Sequence, residues 1–194
     1  IAMLDCAFYM CEASVLEHSL TGRFSERTGN HHAWYAPYGE FAAKDGNIVI
    51  AVTDEGAWQS LCSTLGLDAL AADPRFVNNE QRVANRDALI AELEKATSTM
   101  GRYEMEEKLH RSGVPAAAVQ SLQEFDNDPQ TRQLNVITQV TQEGVGECTV
   151  TNTPILFSKT PVDCNASAAG FPGANSREIL SGLGYSSEKI DSLI

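Results

Sequence analysis

Apolar residues recur at helical spacing over the first twenty positions. Leu4, Phe8, Cys11 and Val15 fall on one face, which predicts a helix over residues 1–20. No Ser, Thr, Asp or Asn precedes this run as a cap, so the helix is expected to continue one that begins before Ile1. The polar, glycine-bearing stretch Thr21 to Asn30 then reads as a loop. Beyond it, Ala33 to Ala43 and the β-branched run Ile48 to Thr53 flank Lys44-Asp45-Gly46-Asn47, which predicts a hairpin closed by a tight Asp-Gly turn. Asp54 is placed to cap a helix with Trp58, Leu61, Cys62 and Leu65 on one stripe and Gly66 at its end.

The next helical stretch starts at Asn79 or Asn85 and has Leu89, Leu93 and Ala96 as its apolar face. A third helix carries Tyr103, Met105 and Leu109 until Gly113 and Pro115 stop it. Ala116 to Val119 predicts a short strand, Leu122 to Phe125 a short helix, and Asp128-Pro129 a further helical turn through Leu134. Val136 to Val140 alternates with polar residues, and Cys148 to Thr151 answers it across Glu143 to Gly146 as a second hairpin. Pro154, Pro161 and Pro172 mark an extended tract, Ser176 is read as the cap of a last helix, and the tail from Ser186 adds one turn more. Strands and helices come in separate runs, not in strict βαβα alternation. The expected class is α+β, with antiparallel hairpins packed by helices.

Composition removes several partners. The 194 residues hold 14 basic and 26 acidic side chains, a formal charge of −12, which argues against nucleic acid and against an anionic membrane surface. Unbroken apolar runs such as Ala7 to Cys11 are far shorter than the ~20 residues of a membrane span. The N-terminal stretch has neither the basic region nor the small-residue cleavage site of a signal peptide, so a cytoplasmic protein is expected. Five cysteines (Cys6, Cys11, Cys62, Cys148, Cys164) form no CxxC pair and read as reduced, mostly buried thiols.

Candidate chemistry is sparse on the residues alone. Neither a glycine-rich phosphate loop nor a GxSxG elbow occurs. His31 and His32 are adjacent, so in a strand they point to opposite faces and share no ion; no metal site is expected. His18 suits the negative end of the first helix, and His110 lies in a charged surface helix beside Glu106, Glu107, Lys108 and Arg111. Asp54 and Glu55 are accounted for as a cap and a first-turn acid.

The order of motifs says more than any one of them. Arg27-Thr-Gly-Asn-His31, Ala36-Pro-Tyr38, Asp45-Gly46, Ile48 to Val52 and Trp58 to Cys62 come first. Leu65-Gly66, Asp73-Pro-Arg-Phe76, Asn79, Arg82 with Arg86, Gly113-Val-Pro115, Asp128-Pro-Gln130, Phe157 to Pro161 and Leu183-Gly-Tyr-Ser186 follow. In this order they resemble the C-terminal half of the family III CoA-transferases, the group of carnitine and bile-acid CoA-transferases, formyl-CoA transferase and α-methylacyl-CoA racemases.

That resemblance implies a longer chain with a Rossmann-like large domain built from both chain ends and a small domain inserted between, in dimers threaded through each other. Residues 1–30 and 136–194 then belong to the large domain, and 31–135 to the small α+β domain. It implies an aspartate nucleophile upstream of Ile1 that forms a mixed anhydride and then an aspartyl-CoA thioester. No residue here matches that aspartate, Asp5 included, so the chain alone is expected to be inactive. The resemblance also implies a coenzyme A thioester as substrate, without a metal, with acyl-CoA bound only together with the N-terminal half. A homodimer is expected, with residues 1–20 at its interface. Gly29, Asn30 and His31, followed by His32, stand where family members bring a loop over the acyl end of the site, and the glycine run of the formyl-CoA branch is missing there. Racemase members use an acid after the second hairpin strand. Asp54 or Glu55 falls near that place, about one residue out of spacing, and Glu55, the candidate of the two, keeps its helix-start explanation beside the catalytic one. A stand-alone binding module derived from the family remains the alternative to the enzyme.

Overall fold

A computed structural model describes residues 1–24, 26–162 and 170–194; Cys164 lies outside them. The chain divides into two compact units, Ile1–Val119 and Gln120–Ile194.

In the first unit the N-terminal helix is two helices, α1 (Met3–Met10) and α2 (Glu12–Thr21). The single helix expected over residues 1–20 breaks at Cys11, whose ψ of 15° leaves the helical range and whose amide bonds back three residues to Phe8 at 3.0 Å. Neither helix buries a residue, and Leu4, Phe8 and Val15 stand 49–68% exposed. Gly22, at φ 70°, ends α2 in the left-handed conformation.

Strands β1 (Tyr38–Ala43) and β2 (Gly46–Ala51) form the expected hairpin in the register Tyr38↔Ala51 to Ala43↔Gly46, so the turn is Lys44-Asp45 and Gly46 already opens β2. Helices α3 (Glu55–Leu65), α4 (Asp68–Ala71), α5 (Asn79–Ala84), α6 (Arg86–Thr97) and α7 (Arg102–Arg111) follow. Strand β3 (Ala116–Ala118) then joins the free edge of β2, antiparallel, with Ile48↔Ala118 and Ile50↔Ala116. The inward positions Phe41, Ile48, Ile50 and Val52 share one core with Trp58, Leu61, Phe76, Leu89, Leu93, Met105 and Leu109, all at most 1% exposed. Period 2 on the strands and period 3.6 on the helices thus meet in one interior.

The caps follow local chemistry. Asp54 accepts the amide of Ala57 at 2.8 Å, and Gly66, at φ 70°, closes α3. The starts of α5 and α6 lie beside Asn78, which accepts from Gln81, and Asn85. Gly101 before α7 has no side chain, and Asp45 of the hairpin turn supplies one, accepting the Arg102 amide at 2.7 Å. Helix α6 covers the outer edge of β1: Glu94 accepts the amide of Ala42 and Thr97 donates to its carbonyl at 2.7 Å.

Two expectations need correction. Ala33 to Pro37 is not strand, because helix side chains take the backbone groups of this segment and Pro37 has no amide to give a ladder. The thiols are not mostly buried: Cys6 and Cys11 are exposed on uncovered helices, Cys148 is half-buried, and Cys62 alone of these four lies inside the core.

The second unit begins with α8 (Leu122–Asn127), opened by a capping box of Ser121 and Glu124, and α9 (Pro129–Gln133), opened by Asp128 and Pro129. Strands β4 (Ile137–Gln142) and β5 (Gly146–Thr151) pair antiparallel from Ile137↔Thr151 to Gln142↔Gly146, the second expected hairpin. Helices α10 (Ser176–Gly182) and α11 (Ser187–Asp191) close it. The residue flanking α10 is Asn175, one before the expected Ser176. Separate antiparallel hairpins among helices make the architecture α+β.

Candidate functional site

Residues 28 to 32 form a turn and a one-pair extension of β1. Gly29, at φ 63°, takes the left-handed conformation that glycine reaches without cost. The His31 amide closes the turn on the Thr28 carbonyl at 3.3 Å, and the Thr28 hydroxyl donates to the His31 carbonyl. His31 then pairs with Gly39, the His32 amide donates to the Tyr38 carbonyl at 2.7 Å, and the Glu40 amide donates to the Asn30 carbonyl. The approach is close enough to demand glycine at 39. A Cβ there would lie 2.3 Å from His31 Nδ1 and 2.5 Å from the Asn30 carbonyl oxygen.

Side chains fix the same turn. The Asn30 amide donates to the Glu40 carboxylate, which also accepts from Asn47. The His31 ring meets the edge of Phe41 with centroids 5.4 Å apart, and His32 stacks on Tyr38 at 4.9 Å. The two adjacent imidazoles therefore sit in different surroundings, as their spacing implies. His31 borders a cleft of about 640 Å³ together with Arg23, Arg27, Trp34 and Arg86, and Glu17, Glu26 and Asp87 contribute carboxylates to the lining. That volume suits a small-molecule site. Burial, then the Arg86 charge, hold the His31 pKa below its ordinary value against the pull of Glu94, Glu40 and Asp87. The imidazole is thus neutral at neutral pH, with one donor and one acceptor nitrogen.

The segment after His31 is held by three side chains from α5 and the start of α6. Asn79 donates to the Trp34 carbonyl at 2.8 Å and accepts the Ala36 amide at 3.1 Å. Arg82 donates from Nε to the Ala36 carbonyl at 2.6 Å and from Nη1 to that of Phe76. Arg86 donates from Nη2 to the carbonyls of His32 and Ala33 at 2.8 and 2.7 Å. All three belong to the motif string, yet nothing local in the sequence states their task, because their partners in the segment from His32 to Ala36 lie 43 to 54 residues away.

Of the expected site residues, His31 lines the cleft, and Gly29 and Asn30 form the turn that leads into it. Glu55 lies elsewhere, in a two-point ion pair with Arg82 at 2.8 and 2.9 Å, and also accepts the Asn79 amide. The hydrogen bond from Arg82 is the first cause that keeps its pKa below the usual carboxylate value. Burial pushes the Cys62 thiol up to about 12, which leaves it protonated and unreactive. Among the described residues no three or more His, Cys, Asp or Glu gather as a metal site, and no helix is long and apolar enough to cross a membrane.

Comparison with known proteins now bears on this geometry. The sequence profile of CoA-transferase family III matches residues 1–175. The acetyl-CoA:oxalate CoA-transferase of Acetobacter aceti is 36% identical over 137 residues, 71% of this chain and 35% of that protein. The succinyl-CoA:mesaconate CoA-transferase of Haloarcula hispanica is 34% identical over 160 residues, 82% of this chain and 40% of that one. A CAIB/BAIF family protein from Brucella suis superposes with a TM-score of 0.76 at 30% identity, over 94% of this chain and 47% of its own. The chain spans well under half the length of the curated relatives it matches. With a profile match over residues 1–175 and relatives at this identity, the chain belongs to CoA-transferase family III.

Proposed function

We propose that this chain is the C-terminal part of an enzyme that transfers coenzyme A from an acyl-CoA to a carboxylic acid, and that its cleft at His31 faces the acyl end of the reaction. Residues 31–135 form the small domain, and 1–30 and 136–194 complete a Rossmann-like large domain whose other half carries the nucleophile. The observation that carries the reading is the built turn at Gly29 to His31, placed on a cleft of suitable size in a chain of this family. The 35–40% coverage of the relatives supports the division of labour.

The reaction sets the demands on the cleft. An enzyme carboxylate attacks the thioester carbonyl, the CoA thiolate leaves, and a mixed anhydride remains. The thiolate then attacks the enzyme's carbonyl and releases the first acid, which leaves an enzyme–CoA thioester. The acceptor carboxylate displaces the thiolate to form a second anhydride, and the thiolate attacks the acceptor's carbonyl and frees the enzyme carboxylate. The first acid leaves as a carboxylate and the acceptor enters as one, so hydrogen-bond donors and cations beside the acyl group are useful. A neutral His31 supplies a donor, and Arg23, Arg27 and Arg86 supply positive charge. Oxalate and mesaconate, the acids named in the two relatives, are dicarboxylic acids, which favours an acceptor of that class. Glu55, anchored on Arg82, acts as a structural acceptor, which favours transfer over racemisation.

The test is a CoA-thioester assay of the complete reading frame and of residues 1–194 alone, with acetyl-CoA plus oxalate and succinyl-CoA plus mesaconate. Transfer by the complete protein and none by residues 1–194 is the expected result. No transfer by the complete protein with any dicarboxylate acceptor would refute the reading. Turnover by residues 1–194 after rigorous purification would refute the assignment of the nucleophile to the other half.

A further inference from the structure

The three side chains that hold the segment after His31 are not equally committed. Asn79 is bonded through both amide atoms, and Arg82 is 1% exposed and tied to Ala36, Phe76 and Glu55. Arg86 does its holding with Nη2 alone. Its Nε is buried without a partner, and Arg86 lines the cleft beside His31. A buried donor left unbonded is uncommon in a folded protein and calls for a reason.

We propose that Arg86 is a positioning residue of the site: its hold on the carbonyls of His32 and Ala33 fixes the His31 imidazole at the cleft, with the guanidinium charge beside it. The inference rests on the reading of the cleft as the acyl end. On one side of His31 the backbone is pinned by Thr28 and by the pairing with Gly39. On the other, two successive peptide planes end on one guanidinium nitrogen. With both flanks fixed, the ring has little freedom except about its own side-chain torsions. The unbonded Nε is the consequence of aiming Nη2 at two adjacent carbonyls.

The charge has a second effect. The ionisable groups around His31 are Arg86, Asp87 and Glu94 of α6 and Glu40 of β1. The further charged groups of the cleft are Arg23, Arg27, Glu17 and Glu26. Burial lowers the His31 pKa first and Arg86 lowers it next, against three carboxylates that raise it. Without Arg86 only burial opposes the three carboxylates, and His31 takes up a proton at higher pH than before.

Nuclear magnetic resonance of the labelled chain separates positioning from mere support. The pH titration of the His31 ring and the exchange rates of backbone amides are measured in the wild type, Arg86→Gln and Arg86→Lys, with exposed His110 as internal control. In Arg86→Gln we expect His31 to titrate at higher pH, and the amides of His32 and Glu40 to exchange about tenfold faster while those of β2 hold. Arg86→Lys should bring the titration back towards the wild type without restoring the exchange rates, since it keeps the charge but its shorter, flexible side chain does not hold a nitrogen at the place that the rigid guanidinium gives Nη2. An unchanged His31 titration in Arg86→Gln, or exchange that rises evenly through β2, would overturn the proposal. Should Arg86→Gln not fold, unchanged His32 and Glu40 exchange in Arg86→Lys would overturn it equally. These readouts need no turnover, so a complete enzyme that fails to transfer CoA would defeat the functional reading and leave the positioning result standing.

Discussion

Arg82 and Glu55 meet through two hydrogen bonds, at 2.8 and 2.9 Å, across the boundary of the core: the guanidinium side chain is 1% exposed and the carboxylate 52%. The arginine also lies over the Trp58 ring at 5.0 Å and satisfies the buried carbonyls of Ala36 and Phe76. One side chain thus joins the helix start at Glu55, the core indole and the segment behind the candidate site.

This asymmetry predicts unequal losses. Arg82→Leu strands two carbonyls and should cost about 3–5 kcal/mol in urea unfolding at neutral pH. Glu55→Gln should cost less than half of that, because water already screens the exposed carboxylate. The Glu55 pKa is lower in the folded chain than in the unfolded one. Its contribution is therefore complete above the unfolded value and lost as pH falls through the folded one. Wild type and Glu55→Gln should converge in stability in acid, and a gap that stays constant would contradict the pairing.

Trp58 is wholly buried at the centre of the core beside Phe41, Ile48 and Ile50. Trp58→Ala should cost about 3–5 kcal/mol. A loss below about 1 kcal/mol in chemical denaturation would mean that the cavity collapses freely or that the indole is not packed there.

The parts of this fold that were legible in the sequence are those whose cause is local. Asp54 with Gly66 and Asp128 with Pro129 each announce a helix within four residues or at its two ends. Ile48 to Val52 announces a strand by its β-branched run. Ala33 to Pro37 looked like strand by its aromatics, but its carbonyls are claimed by Asn79, Arg82 and Arg86 from a distant helix pair, which no local pattern records. The same holds for Gly39, whose need for glycine comes from His31 crossing close above it. His31 was found through the motif order; the cleft that it borders depends on Arg23, Arg27 and Arg86 converging from separate segments.

Thiol reactivity should follow burial. Cys6 and Cys11 are exposed, whereas Cys62 lies in the core with its pKa pushed up to about 12. Iodoacetamide at pH 8, read by peptide mass mapping, should spare Cys62 until denaturant is added, and should modify Cys6 and Cys11 in the Phe8→Asp variant, where residues 1–20 are not covered by a second copy. Rapid labelling of Cys62 in the native state would contradict the core packing.

The stripe of Leu4, Phe8 and Val15 on α1 and α2 remains in water in the single chain. Each such side chain gains about 1.5–3 kcal/mol when covered, and contiguous apolar surface of this kind draws partners. Self-association through residues 1–20 is the expected outcome. Sedimentation equilibrium should give a dimer or larger species that dissociates on Phe8→Asp, and a clean 21.0 kDa monomer would refute it.

The most direct test of the account concerns the turn at Gly29. Open space surrounds this residue, and its φ of 63° is one that asparagine tolerates. Gly29→Asn therefore keeps the backbone and adds a side chain where substrate is expected to approach. Steady-state kinetics of CoA transfer by the complete protein, with the acceptor acid varied, decide the matter. A fall of about tenfold or more in kcat/KM for the acceptor is expected, with the melting temperature little changed. An unaltered kcat/KM in a folded Gly29→Asn protein would contradict the assignment of this turn to the substrate.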